Sequence, residues 1–102
     1  MFKAMILLKR KAGTSRADFA KWLLEQHRPL AEELPGLQRS VFNLVSEDGP
    51  EVCDGVSELW FESRADFDAA YATDIGKGVA ADSINNVSER IRLFVDEVIV
   101  KA

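Results

Sequence analysis

The chain is poor in the residues that most often anchor chemistry: one histidine (His27) and one cysteine (Cys53) in 102 residues. A lone cysteine excludes a disulfide within the chain and suits a reducing, cytoplasmic compartment. One histidine and one cysteine also fall short of the three or four ligands of a zinc site, so no metal centre is expected. No apolar run approaches the length of a membrane span. The apolar opening, residues 1–8, is followed rather than preceded by Lys9, Arg10 and Lys11, the reverse of a signal peptide's order. A membrane partner is therefore not expected. Basic residues are in deficit, 13 Lys and Arg against 17 Asp and Glu for a net charge of −4. That balance argues against a nucleic-acid partner, whose phosphates need a basic face. Neither a Gly-x-x-x-x-Gly-Lys phosphate loop nor a Gly-x-Ser-x-Gly nucleophile elbow occurs.

What is present is an ordinary packing composition, 47 % hydrophobic and 29 % charged, at a length that fits one domain over residues 1–102. The most informative feature is a repeat: Ser15-Arg16-Ala17-Asp18-Phe19 returns as Ser63-Arg64-Ala65-Asp66-Phe67. Both copies read as helix starts. The serine accepts from the amide three residues on, and the aspartate is expected to reach back in a short-armed capping box.

β-like runs precede each helix, over residues 2–9 and 56–61, and follow each, over residues 37–45 and 91–100. Leu34-Pro35-Gly36-Leu37 stops the first helix and turns the chain. The second helix is expected to be interrupted at Gly76 and Gly78, with a short piece near Val79 to Asp82 after them. The order βαββαβ is that of an α+β, ferredoxin-like fold, an antiparallel sheet with both helices on one face. The free face of such a sheet should be polar. Here Met5-Ile6-Leu7-Leu8, Leu59-Trp60-Phe61 and Phe94-Val95 put large apolar side chains on both faces. A second copy packed sheet to sheet covers that face most economically, so a homodimer is expected.

The chain resembles the EthD-like members of the dimeric α/β-barrel superfamily, and the resemblance runs nearly end to end. It is carried by Leu7-Leu8-Lys9-Arg10-Lys11 leading to Gly13, by His27-Arg28-Pro29-Leu30, by Leu34-Pro35-Gly36-Leu37 and by Asp54-Gly55-Val56-Ser57-Glu58-Leu59-Trp60-Phe61. It implies a dimeric α/β barrel with a ligand cavity in each subunit. Related proteins are associated with degradation of ethers and aromatic compounds, lactone isomerisation, polyketide cyclisation, cofactor-free oxygenation of phenols and haem breakdown. The glycine-rich stretch Thr73-Asp74-Ile75-Gly76-Lys77-Gly78 departs from the pattern at the expected rim of the pocket.

His27 falls on the apolar stripe Phe19, Leu23, His27, Leu30, Leu34 and so points inward. Pro29 removes a helical hydrogen bond beside it and is expected to kink the helix. Two readings are open: a core histidine hydrogen-bonded to a carbonyl or carboxylate, or a pocket histidine moving protons near neutral pH as the catalytic residue. Phe42, Asn43, Glu58, Trp60 and Tyr71 are candidates for holding a small apolar or aromatic ligand. Glu58 and Trp60 share one face of the third strand, and Glu58, if buried, needs a donor. The functional expectation is a cofactor-independent lyase, isomerase, cyclase or oxygenase acting on a small phenolic, polyketide-like or lactone compound. The rivals are a non-catalytic metabolite-binding or accessory protein of an oxidative pathway and a haem-degrading protein ligated by His27.

Overall fold

Burial alternates strictly along the third strand, and this fixes which way the sheet faces. In the computed structural model, which describes residues 1–102, β1 (Phe2–Arg10), β2 (Arg39–Leu44), β3 (Gly55–Phe61) and β4 (Val87–Val95) form one antiparallel sheet in the order β2-β3-β1-β4. Ala4, Ile6 and Leu8 of β1 and Ser57, Leu59 and Phe61 of β3 are buried under the helices. Their neighbours Met5, Leu7, Val56, Glu58 and Trp60 point to the opposite, open face. The order is that of the ferredoxin-like βαββαβ plan.

Both serine caps form: Ser15 accepts from the Asp18 amide at 3.0 Å and Ser63 from the Asp66 amide at 3.1 Å. The expected return bonds from the aspartates are not made, since their arm is a carbon shorter than the glutamate of a full capping box. The first helix, α1, is three segments in one. Arg16–Lys21 is α-helical, Trp22–His27 is a π-helical turn, and Arg28–Ala31 is α-helical again. The wide turn is closed by the Arg28 amide bonding to the Leu23 carbonyl, immediately before Pro29, which has no amide to give. The extra residue it takes up corrects the expected stripe. Beyond His27 the inward position is Ala31, 6 % exposed, while Leu30 is 41 % exposed and looks outward.

The second helical region departs from expectation in the same local manner. α2 (Arg64–Ala72) ends at Thr73, and α3 (Asp74–Asn86) runs unbroken through Gly76 and Gly78. The break belongs to Thr73, whose hydroxyl caps α3 by accepting from the Gly76 amide at 3.0 Å. Gly76 serves close packing: a Cβ there would run into the Ala70 carbonyl oxygen. α3 feeds directly into β4, which begins at Val87 and ends at Val95 rather than spanning residues 91–100. At the basic end of β1, Arg10 together with Arg16 of α1 holds the buried Asp54 carboxylate, at 3.4 and 3.9 Å. The core between sheet and helices is one cluster in which Phe19, Leu23, Phe61 and Phe67 are the large sealed side chains. No helix is long and apolar enough to cross a membrane.

Candidate functional site

The six residues singled out in the sequence separate onto the two faces of the sheet. His27, Phe42 and Tyr71 meet on the helix side, where all three line one small cavity. Asn43, Glu58 and Trp60 lie on the open face. There the Glu58 carboxylate accepts from Asn43 Nδ2 at 2.9 Å and pairs with Lys3 Nζ at 2.9 Å. Lys3 also reaches Glu97 at 2.8 Å and lies 4.5 Å over the Trp60 ring. The Asn43 amide, then the Lys3 ammonium, hold Glu58 below the usual carboxylate range. Glu97 and Glu58 raise Lys3 in turn. This polar knot sits on the open face among Met5, Leu7, Val41, Val56, Ile91 and Leu93.

On the helix side the chemistry converges on His27, only 5 % exposed. The π-turn aims its imidazole across the core at α3, where Nδ1 lies 2.9 Å from Asp82 Oδ2. Asp82 also accepts from Trp22 Nε1 at 3.2 Å, Gln26 Nε2 at 2.6 Å and Asn86 Nδ2 at 3.3 Å, so four donors fix its position. A carboxylate on Nδ1 keeps the proton there and leaves Nε2 with a lone pair, the tautomer of a general base. The cavity is walled by Ile6, Leu8, Leu59 and Val79 with polar groups from Ser57 and Ser83, and its free room is about 10 Å³, space for one water molecule. No three side chains of metal-ligating type gather anywhere in the fold.

Beside the cavity lies an open groove of about 430 Å³ between α1 and β2, lined in part by Leu24, Arg28 and Leu37. Groove and cavity share Ala31, Ser40 and Phe42. The Phe42 ring stacks on His27 with centroids 5.9 Å apart and planes at 26°, and stands between the two spaces. A rotation of Phe42 about χ1 would join them. Tyr71, half-buried, stands at the far wall against the Arg90 guanidinium.

Asp82 and Arg90 were not found from the sequence. Asp82 lay at the end of what read as a short helical piece. With the full α3 in view, its spacing of three from the buried Val79 would have turned it inward. Arg90 fell before the expected start of the last strand. A strand beginning at Val87 puts Arg90, Arg92 and Phe94 on the helix side opposite Leu8, Ile6 and Ala4.

Burial pushes the His27 imidazole below its ordinary value of 6.5; the Asp82 carboxylate opposes this and the Arg90 guanidinium adds to it. The folded chain therefore binds fewer protons than the unfolded one from about pH 6.5 downward, and stability should fall as the medium is acidified through that window. The slope is bounded at about 1.4 kcal/mol per pH unit for one proton. Urea unfolding at pH 7.5, 6.5 and 5.5 measures it, and His27→Gln should flatten the trend. A wild type whose stability is unchanged or higher at pH 5.5 would contradict the buried, neutral imidazole.

Comparison with known proteins bears on the family and the fold. The EthD domain family matches residues 11–89. An uncharacterised 11.0 kDa protein from the thcB-thcC intergenic region of Rhodococcus erythropolis is 31 % identical over 100 residues, covering 95 % of each chain. Among solved structures, an ethyl tert-butyl ether d (EthD) family protein from Bacillus halodurans superposes with a TM-score of 0.81 at 20 % identity, over 96 % of this chain and all of the other. A dimeric ferredoxin-like protein from Thermobifida fusca gives 0.76 at 12 % identity, over 92 % of this chain and 88 % of the other. These structures establish the fold, and the match over most of the sequence establishes more: the chain belongs to the EthD family.

Proposed function

We propose that this protein is a homodimeric small-molecule enzyme that works by acid–base chemistry without a cofactor. His27 Nε2 is the base and Asp82 the residue that orients it. The observation that carries this reading is the 2.9 Å contact between Asp82 and Nδ1, which commits Nε2 to the cavity as an unprotonated acceptor. Such an imidazole takes a proton from a carbon acid or phenol held against it, the common first step of lactone isomerisation, polyketide cyclisation and related eliminations, and the imidazolium then returns it to another carbon, to the new alkoxide or to the departing group. Phe42 and Tyr71 supply flat apolar contacts for a phenolic, polyketide-like or lactone substrate entering by the groove. The homodimer is supported by the dimeric relative and by the apolar open face, where Glu58, Asn43 and Trp60 then serve the seam instead of the ligand.

The test is deuterium wash-in, which needs no knowledge of the natural product. Small butenolides, 1,3-diketones and phenols are incubated with protein in deuterated buffer and followed by NMR. Wild type should catalyse exchange at the activated position of at least one class. His27→Ala should lower the rate by about 10²- to 10⁴-fold. Asp82→Asn should lower it comparably, by releasing the tautomer, with both variants still folded. Wild type that binds such compounds but exchanges none of them would favour the rival reading, a metabolite-binding or accessory protein whose His27–Asp82 pair only satisfies the core.

A further inference from the structure

The chain carries an arginine without a counter-ion where a counter-ion is most needed. Arg90 lines the His27 cavity, and its Nε is sealed from water with no hydrogen-bond partner. None of the ion pairs in the fold includes it. Asp82, the carboxylate that serves this cavity, is committed to His27, Trp22, Gln26 and Asn86. Arg92, two residues on and also unpaired, lies over Phe67, Tyr71 and Phe94 at 5.3, 5.9 and 5.7 Å and spends its charge on their ring faces. The neighbours that act on the Arg90 charge are the Tyr71 hydroxyl and the like-charged Arg92. A half-buried guanidinium whose Nε is sealed and which has no anion beside it is better satisfied when a ligand supplies the anion.

Taking the groove behind Phe42 as the ligand's way in, as the proposed function does, we infer that Arg90 anchors the carboxylate of a small planar acid, placing the carbon or hydroxyl next to that carboxylate against His27 Nε2. A carboxylate rather than a phosphate follows from shape and surroundings. The planar guanidinium offers two parallel donors that match two carboxylate oxygens. The walls, Ile6, Leu8, Leu59 and Val79, favour a mostly apolar body and leave little to solvate a second negative charge. The serines at the cavity, Ser57 and Ser83, suit the remaining oxygen lone pairs.

Benzoate and the neutral benzamide, matched in shape, are the probes, titrated into the purified full chain with the Trp22 indole resonance as reporter, since Trp22 packs 5.0 Å from His27. Wild type should bind benzoate about tenfold or more tightly than benzamide, the scale of one charge-assisted contact. Arg90→Met should bring the two within about twofold of each other. Because it removes an unpaired, half-buried charge, it should also melt no earlier than wild type. Arg90→Gln serves if the methionine variant is poorly folded. Three results would overturn the inference: equal affinity for acid and amide in wild type, a preference that survives in the Arg90 variants, or inorganic phosphate displacing benzoate at equal concentration. His27→Ala should keep the benzoate preference while losing deuterium exchange, so the two readings fail separately. Exchange without the preference leaves a base acting on neutral substrates, and the preference without exchange leaves an acid-binding protein.

Discussion

Leu7→Glu is expected to turn a dimer of about twice 11.4 kDa into monomers at micromolar concentration, read by light scattering. Leu7 is at the centre of the open face, between Val56 of β3 and Ile91 of β4. Around it Ile91 and Leu93 are each 43 % exposed in the single chain, and Met5, Val41 and Val56 are half-buried. Side chains of that kind across three strands leave an apolar surface that water disfavours and a second sheet would cover. Glutamate at its middle would be buried without a donor, since Lys3 is already held by Glu58 and Glu97. The association constant should fall by at least about 100-fold, on the scale of an uncompensated interfacial charge. Ile84→Glu, exposed on the helix side, is the control and should leave the mass unchanged. A wild type that stays at 11.4 kDa at high micromolar concentration would remove the dimer from the proposed function.

Phe67→Ala should be the most damaging single truncation in the chain. Phe67 is 1 % exposed and packs against Phe2, Phe61, Tyr71 and Phe94 with ring centroids 5.3, 5.5, 5.0 and 5.5 Å away. Removing its ring deletes buried surface and leaves a void that four aromatics held by three strands and a helix cannot close. The expected loss is about 3–5 kcal/mol. The melting temperature should drop by roughly 4–8 °C for each kcal/mol at this chain length. Tyr71 would lose the ring behind it, so ligand affinity measured on the remaining folded protein should weaken as well. Phe94→Ala, at a position 42 % exposed, should cost less than half as much. A loss below about 1 kcal/mol at Phe67 would mean that the aromatic cluster repacks freely.

Much of the fold was legible because its signals are local. The Ser-x-x-Asp repeats announced both helix starts through the bond each serine makes to the amide three residues on. The runs 2–9 and 56–61 lie within a residue of the strands they predict, since each is a short apolar stretch bounded by polar and turn-forming residues. The mistakes were local too. Glycines at 76 and 78 read as a break because glycine is a poor helix former, yet Gly76 is where α3 starts against the end of α2 and a side chain would collide. The last strand was placed too late because Val98, Ile99 and Val100 are as β-prone as the strand itself. They nonetheless lie beyond it, 78, 72 and 95 % exposed, where β1 no longer offers partners.

The sequence by itself determined the element order, the two-sided apolarity of the sheet, the inward histidine and, through its motifs, the family. It did so because capping, periodicity and turn chemistry act over a few residues and are written in the chain. The grouping of the side chains was decided only in three dimensions. Asp82 meets His27 across 55 positions of sequence, and Arg90 comes to the same cavity from the far end of the chain. Glu58, Asn43 and Trp60, beside those residues in any reading by motif, are carried to the other face by the two-residue period of the strand. The π-turn at Trp22–His27 sets the direction of the imidazole, and it arises from the missing Pro29 amide together with packing against α3. A site built from contacts between distant elements has no local signal, so its members become visible only once the sheet and helices are in register.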